Sequence, residues 1–316
     1  MQALSILILI FAQQHPVRPS LIVGDMAPPL VIDKWIQGKE ISQYERGKVY
    51  VIETWATWCG PCLAAMPHLN KMSTAYGSRG VVVIGLTGAD DYGNTEKSIR
   101  DVVKAKKLSY SIALDHPTDK AYMGVFKGET TKSFVEKAGV QTIPVTFVVD
   151  KNGKIAFIGH PMESESVVKK ILEDRFDLSL ARAAYLRRVD AQPDLDRYVS
   201  SVASGEHVKA NDLGRKLVKE SFRDDAHSLL VIAVAIQTTK KPVGRNLSLS
   251  LEAARRAAEL THWGDPGYIS CVAAAYYQLG KPRDAIRYVK QAIAMAEGGQ
   301  RDALRRDLAK YQGHNG

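Results

Sequence analysis

Val49-Tyr50-Val51-Ile52-Glu53-Thr54-Trp55-Ala56-Thr57-Trp58-Cys59-Gly60-Pro61-Cys62 is the stretch whose reading decides the fold. Its first part, Val49 to Glu53, is an apolar run of strand length, the pattern of a strand covered on both faces. Its second part sets two cysteines with two residues between them, where a strand gives way to a helix. Thiols at that spacing close reversibly into a disulfide, and a helix N-terminus there stabilises a thiolate. Zinc sites use the same spacing, so the spacing alone does not choose between them.

Working outward, a helix is expected from about Cys59 to Tyr76. Gly80 then opens Val81-Val82-Val83-Ile84-Gly85-Leu86, a second buried strand. Parallel strands need a crossover, which the helix between them supplies. A further helix is expected from about Thr95, a short strand over Tyr110 to Leu114, a loop over Asp115 to Glu129, and a short helix over Thr131 to Ala138. Val145 to Asp150 and Ile155 to Gly159 flank Lys151-Asn152-Gly153-Lys154. Asn-Gly between two apolar strands signals a hairpin. A last helix of this half spans roughly Glu163 to Asp174.

The central motif and its surroundings resemble the active site of the thioredoxin superfamily. Glu53 stands six positions before Cys59, where thioredoxins carry a buried carboxylate. Pro67 falls eight positions after Cys59, where the superfamily kinks its active-site helix. Thr142-Ile143-Pro144-Val145-Thr146-Phe147 looks like the cis-proline loop and the strand that follows it. Within the superfamily, Glu53-Thr54-Trp55-Ala56-Thr57-Trp58-Cys59 and Ile158-Gly159-His160-Pro161 resemble TlpA/ResA-like proteins, over roughly residues 24–175. Residues 24–48 then match the N-terminal extension of those proteins, a short hairpin.

The resemblance implies a division of labour. Cys59, at the exposed start of the helix, is the expected nucleophile, and Cys62, one turn inside, the resolving thiol. A carboxylate in an apolar strand has its pKa raised by desolvation, which suits Glu53 to accept the Cys62 proton. Pro144, read as cis, would set the Ile143 backbone free to pair with an extended substrate segment. Trp58, Gly60 and Pro61 complete the expected substrate-binding surface, with Trp58 over the Cys59 sulfur and Trp55 in the core. Gly-Pro between the cysteines matches reducing members, so reduction of protein disulfides is favoured over their formation.

From about Leu178 onward strand signals vanish. Ile269, Val272, Ala273, Tyr276 and Tyr277 recur at helical spacing, Gly280-Lys281-Pro282 breaks the chain, and Ala285, Ile286, Val289, Ala292 and Ile293 form a second stripe. This resembles one tetratricopeptide unit. Leu229–Ile236 with Leu251–Leu260 suggests a second, with Lys240 to Ser248 as an inserted loop, and Leu180–Val189, Leu195–Ala203 and Val208–Phe222 look helical without a clear register. The fold class expected is α/β, a thioredoxin-like three-layer fold followed by an all-α helical-repeat domain. The expected boundaries are 1–20 for a signal peptide and leader, 21–177 for the redox domain and 178–316 for the helical domain.

The rest of the composition narrows the setting. The 316 residues suggest about two domains, and 45% hydrophobic with 24% charged residues is ordinary for a globular chain. Of the net charge of +9, residues 179–316 hold 22 Lys and Arg against 15 Asp and Glu. That excess reads as a solvated helical surface. No basic stripe interleaved with aromatics argues for nucleic acid. Three cysteines rule out a multi-disulfide framework, and Cys271 reads as a packed small residue. Ala3 to Ala12 suits a signal-peptide core and is short for a membrane span. Export to a bacterial periplasm or cell envelope is therefore expected.

No cofactor and no metal are expected. His68 and His160 could be imagined beside the cysteines as copper ligands, but the wide spacing of copper-delivery relatives is missing, as is the Pro-x-x-x-Thr-x-x-Cys motif of peroxiredoxins. The expected partners are protein disulfide or dithiol clients and an upstream electron donor, with a protein partner possible on the helical repeats. An adaptor using the thioredoxin fold as a docking platform and a metal chaperone stand as alternatives.

Overall fold

The computed structural model describes residues 18–122 and 126–313. The apolar run Ala3 to Ala12, and with it the signal-peptide reading, lies outside the described residues. The chain divides into two compact units, residues 18–186 and residues 187 onward.

In the first unit every residue of β2 (Val49–Thr54) is buried, because β2 is central in a six-stranded sheet. It pairs in parallel with β3 (Val81–Thr87) and antiparallel with β7 (Val145–Val149). The full order is β1-β4-β3-β2-β7-β8, with β1 (Ile32–Gln37), β4 (Ser111–Asp115) and β8 (Ile155–Gly159) completing it. The parallel pairs are joined by crossover helices, α1 (Gly60–Tyr76) between β2 and β3 and α2 (Glu96–Ala105) between β3 and β4. Thr95 starts α2 with a reciprocal cap, accepting from Ser98 N–H while Ser98 Oγ accepts from Thr95 N–H.

Successive strand residues face opposite ways, so the sheet has two cores. Val49, Val51 and Trp55 pack with Cys62, Met66, Leu69 and Met72 of α1 and with Val168 and Ile171 of α4 (Pro161–Leu172). On the other face, Phe147 meets Phe134 edge-on at 5.1 Å. Phe134 belongs to a helical segment made of α3 (Glu129–Thr131) and a π-helical turn, Lys132–Glu136. The β7–β8 hairpin turns as its sequence predicts. Gly153 takes φ +80°, and Asp150 Oδ1 accepts from the N–H groups of Asn152 and Lys154 at 2.9 Å.

Two expectations for this unit need correction. Residues 24–48 form no hairpin; their one strand, β1, pairs antiparallel with β4 at the sheet edge. The polar positions Asp33 and Lys34 suit an edge, which the reading missed by looking for a local partner. Asp115 to Glu129 is not simply a loop either, since β5 (Pro117–Tyr122) and β6 (Phe126–Gly128) pair as a two-stranded ribbon. Buried Asp115 closes its base, accepting from Thr130 N–H at 2.9 Å and Thr131 N–H at 2.7 Å.

The second unit is helical. α5 (Leu178–Asp190) begins in the first unit and ends in the second, which continues with α6 (Gln192–Ser204), α7 (His207–Lys216) with a π-helical turn Leu217–Ser221, and α8 (Ala226–Thr238). α9 (Leu247–Leu260), α10 (Pro266–Gln278) and α11 (Pro282–Met295) follow. α8 packs on α9, and α10 on α11 across the turn at Gly280, φ +71°. Small residues let these helices approach closely: Ala253, Ala257, Ala273, Ala285 and Ala292 are fully buried. A final helix, α12 (Gly298–Tyr311), escaped the sequence reading because it opens on two glycines and is largely charged. It is anchored by Tyr311, stacked on Tyr277 at 4.5 Å. Among the described residues no helix is long and apolar enough to cross a membrane.

Buried Gln237 ties α8, α9 and α10 together, its amide donating to Ser250 Oγ at 3.0 Å and to the Cys271 carbonyl at 3.1 Å. The Cys271 thiol lies 3.7 Å from Gln237 Oε1, and burial pushes its pKa up to about 12. A thiol so covered is inert at neutral pH. In reduced, folded protein, iodoacetamide is expected to leave Cys271 unmodified and to label it only after denaturation. Peptide mass spectrometry checks this, and native labelling at Cys271 would contradict it.

Candidate active site: a dithiol above a buried carboxylate

The strand-to-helix junction after β2 builds the site. Cys59 is the N-cap of α1, with extended backbone, and its Sγ accepts from Cys62 N–H at 3.2 Å. Gly60 and Pro61 fill the first helical positions, where proline costs no hydrogen bond. Cys59 and Cys62 are joined as a disulfide, with Cα atoms 5.3 Å apart. The expectation of an exposed Cys59 needs qualification: it is 5% accessible, against 0% for Cys62. The surface around it is nevertheless open, since Pro61 is exposed and Trp58 is 45% accessible. Pro67 lies inside α1, as its position implied.

Glu53 is fully buried, and neither carboxylate oxygen has a hydrogen-bond partner among the described residues. It shares the face of Val49, Val51 and Trp55, the face covered by α1. Desolvation raises its pKa to about 8. A carboxyl titrating there is close to an ordinary thiol, so a proton can pass between the two with little driving force either way.

The Ile143–Pro144 peptide is cis, and Val145 pairs with Thr54 at the end of β2. The loop therefore lies at the same end of the sheet as the cysteines, and Ile143 packs against the cluster that holds both. Trp55 is fully buried in that cluster.

Several residues of the site were not singled out in the sequence. Asn94, fully buried, accepts from Thr57 N–H at 2.9 Å and donates to Thr87 Oγ1 at 2.9 Å and the Gly88 carbonyl at 2.6 Å. Thr87 in turn donates to the Trp55 carbonyl at 2.8 Å. This network fastens the Trp55–Trp58 loop to the end of β3. Asp90 orients Trp58 by accepting its indole N–H at 2.6 Å, and Tyr92 stands edge-on to Trp58 at 6.2 Å. In the sequence these residues sit in a polar run that reads as loop, and no spacing marks them.

His68 lies 3.8 Å from Glu165, and His160 caps α4, its Nδ1 accepting from Met162 N–H at 3.3 Å. Among the described residues no group of three or more His, Cys, Asp and Glu side chains is placed to hold a metal ion.

Residues 23–158 match the AhpC/TSA family model. Protein FixW of Rhizobium leguminosarum is 29% identical over 161 residues, covering 51% of this chain and 70% of its own length. The thiol-disulfide oxidoreductase ResA of Bacillus thuringiensis subsp. konkukian (strain 97-27) is 31% identical over 134 residues, covering 42% of this chain and 66% of the relative. Among solved structures, a thiol-disulfide isomerase from Corynebacterium glutamicum superposes with a TM-score of 0.39 at 21% identity, over 48% of this chain and 97% of that one. The family match ends before α4, so the helical unit lies outside it. Residues 23–158 thus resemble the AhpC/TSA family, and proteins named thiol-disulfide oxidoreductase are among the relatives of this stretch.

Proposed function

We propose that this protein is a thiol–disulfide oxidoreductase that reduces protein disulfides in an exported setting. The observation that carries the reading is the pairing of a closed Cys59–Cys62 disulfide at a helix N-terminus with the buried, unpartnered carboxyl of Glu53.

In the reduced protein, the Cys59 thiolate attacks a client disulfide. One client sulfur leaves as a thiolate, and Cys59 is joined to the other. Cys62 gives its proton to Glu53 and attacks Cys59 Sγ, expelling the second client sulfur. Two electrons have then passed to the client, and the protein is left as the disulfide seen here. A separate dithiol donor must restore it. The Cys62 N–H that points at Cys59 Sγ, with the α1 dipole, stabilises the attacking thiolate.

Trp58, Pro61 and the Ile143–Pro144 loop form the surface a client segment meets. The paired helices α8–α9 and α10–α11, read as tetratricopeptide-like, offer a place for a protein partner within a C-terminal domain beginning near residue 178. The signal-peptide reading of the N-terminal residues supports export to the cell envelope.

Insulin-disulfide reduction with dithiothreitol as electron source tests the assignment. The wild type is expected to accelerate insulin precipitation, and Cys59→Ser to return it to the rate of dithiothreitol alone. Equal activity of the two proteins overturns the enzyme reading.

A further inference from the structure

Two aromatic rings stand in water beside the redox cysteines. Among the described side chains, Trp58 and Tyr92 are the two aromatics counted with the exposed large hydrophobics, at 45% and 66% accessible. They are also neighbours, edge-on with ring centroids 6.2 Å apart. A lone exposed apolar side chain needs no explanation on a protein surface. Adjoining rings next to a reactive sulfur, held in place rather than left free, do need one.

One carboxylate holds both. Asp90 Oδ2 accepts the Trp58 indole N–H at 2.6 Å, while Oδ1 accepts the backbone N–H groups of Tyr92 at 2.8 Å and Asn94 at 2.9 Å. The loop closes on itself, the Asp90 N–H donating to the Asn94 carbonyl at 3.2 Å and Gly93 turning at φ +94°. Buried Asn94 ties it to the end of β3 through Thr87 and Gly88. A ring ordered in advance loses little further freedom when a ligand covers it, so less of the contact energy is spent on ordering.

The covalent chemistry fixes what meets these rings. In a mixed disulfide the client cysteine has its Cα about 5.5 Å from that of Cys59. Trp58 directly precedes Cys59, so its Cα is about 3.8 Å away. A client residue next to the bonded cysteine therefore lies within a side-chain length of the Trp58 ring, and Tyr92 widens the surface it can cover. The carboxylates nearby are already engaged: Asp90 accepts from three N–H groups, and Asp91 pairs with Lys127 at 3.4 Å. What is left to a client is ring surface, which favours aromatic and large aliphatic side chains.

We infer that Trp58 and Tyr92, held by Asp90, form an aromatic ledge that selects clients carrying an aromatic or large aliphatic side chain next to the disulfide cysteine that Cys59 attacks. The inference deepens the disulfide-reductase reading and rests on it. Tyr92 is its specificity-determining residue, since Trp58 belongs to the redox motif and Tyr92 enters from a separate loop. The ledge acts on binding. It touches the neighbour of the reacting cysteine and leaves the sulfur chemistry to Cys59 and Cys62.

The probes that test it are short peptides whose single cysteine is joined by a disulfide to thionitrobenzoate, with Phe, Leu, Ala, Arg or Asp on both sides of that cysteine. In prereduced full-length protein the Cys59 thiolate attacks the peptide sulfur. A Cys59–peptide disulfide forms, and coloured thionitrobenzoate leaves with the electron pair of the broken bond. Each rate at low peptide concentration is divided by that of dithiothreitol with the same peptide, which removes differences in intrinsic reactivity. The wild type is expected to favour Phe over Ala about tenfold, with Leu between them and Arg and Asp no faster than Ala. At saturating peptide the Phe and Ala rates should converge, because the ledge acts on binding. The Phe-to-Ala ratio is expected to fall to about two in Tyr92→Ala and to persist in Tyr92→Phe. A wild-type ratio near one, which needs no variant to measure, overturns the inference and leaves the enzyme reading standing. A preference for Arg or Asp, or a tenfold ratio kept by Tyr92→Ala, does the same. Release by Cys59→Ser as fast as by the wild type overturns the enzyme reading itself, and this inference with it.

Discussion

Cys62→Ser is expected to accumulate as a covalent adduct with its client. Cys59 keeps its place as N-cap of α1 in this variant, and its sulfur still faces the first free N–H groups of the helix. The first attack therefore proceeds. A serine hydroxyl cannot displace a sulfur from the mixed disulfide, so the adduct persists until an external thiol cleaves it. Non-reducing electrophoresis after mixing with oxidised insulin should show a new band that dithiothreitol removes. Turnover should fall to the background of the reductant. Cys59→Ser/Cys62→Ser should give no band, although Cys271 is still present. An adduct in that double variant, or wild-type turnover by Cys62→Ser, would overturn the assignment of attacker and resolver.

Glu53→Gln is the second large effect, and it has a kinetic and a thermodynamic side. General acid–base groups typically contribute 10²–10⁴-fold, and a fall of roughly a hundredfold in resolution of the mixed disulfide is expected near neutral pH. The initial attack by Cys59 should change far less. Unchanged single-turnover kinetics would remove Glu53 from the mechanism. The thermodynamic side follows from its pKa, raised to about 8 by burial. Unfolded, the same carboxyl titrates near 4.3. Between those values the folded state binds a proton that the unfolded state has released. Stability then falls as pH rises through this window, and is level below and above it. Glu53→Gln removes that slope. Its stability relative to the wild type should rise between pH 5 and pH 8 by up to several kcal/mol. Denaturant midpoints of the oxidised proteins at the two pH values measure this. A constant difference between variants would show that Glu53 does not titrate in the window.

Much of this was readable from residues alone because the signals are short-range. The unbroken apolar run of β2, the Asn152-Gly153 turn and the small-residue stripes of α10 and α11 each follow from a local period or a turn that only certain residues can make. Cys59, Cys62, Glu53 and Pro144 were readable for another reason: the motifs that hold them resemble those around the active site of the thioredoxin superfamily. What was missed depends on distant pairing. β1 finds its partner in β4, nearly eighty positions on, and no local pattern announces that. Tyr110 reads as the start of a short strand, and only the pairing of β3 with β4 places its ring against Gly85. Asn94 likewise reads as one more polar loop residue until its three hydrogen bonds are seen. α12 was missed because its charged surface and glycine start hide the two residues, Leu304 and Tyr311, that bury it.

The Asn94 network has a mechanical consequence. Thr57 N–H, Asn94, Thr87 and the Trp55 carbonyl form a strut that braces the approach to Cys59 without involving either sulfur. The redox loop is therefore clamped from outside the bond that opens and closes. None of these bonds uses a sulfur atom, so opening the disulfide breaks none of them. The loop's shape is carried by amide and hydroxyl groups, and the sulfur–sulfur bond is not what holds it.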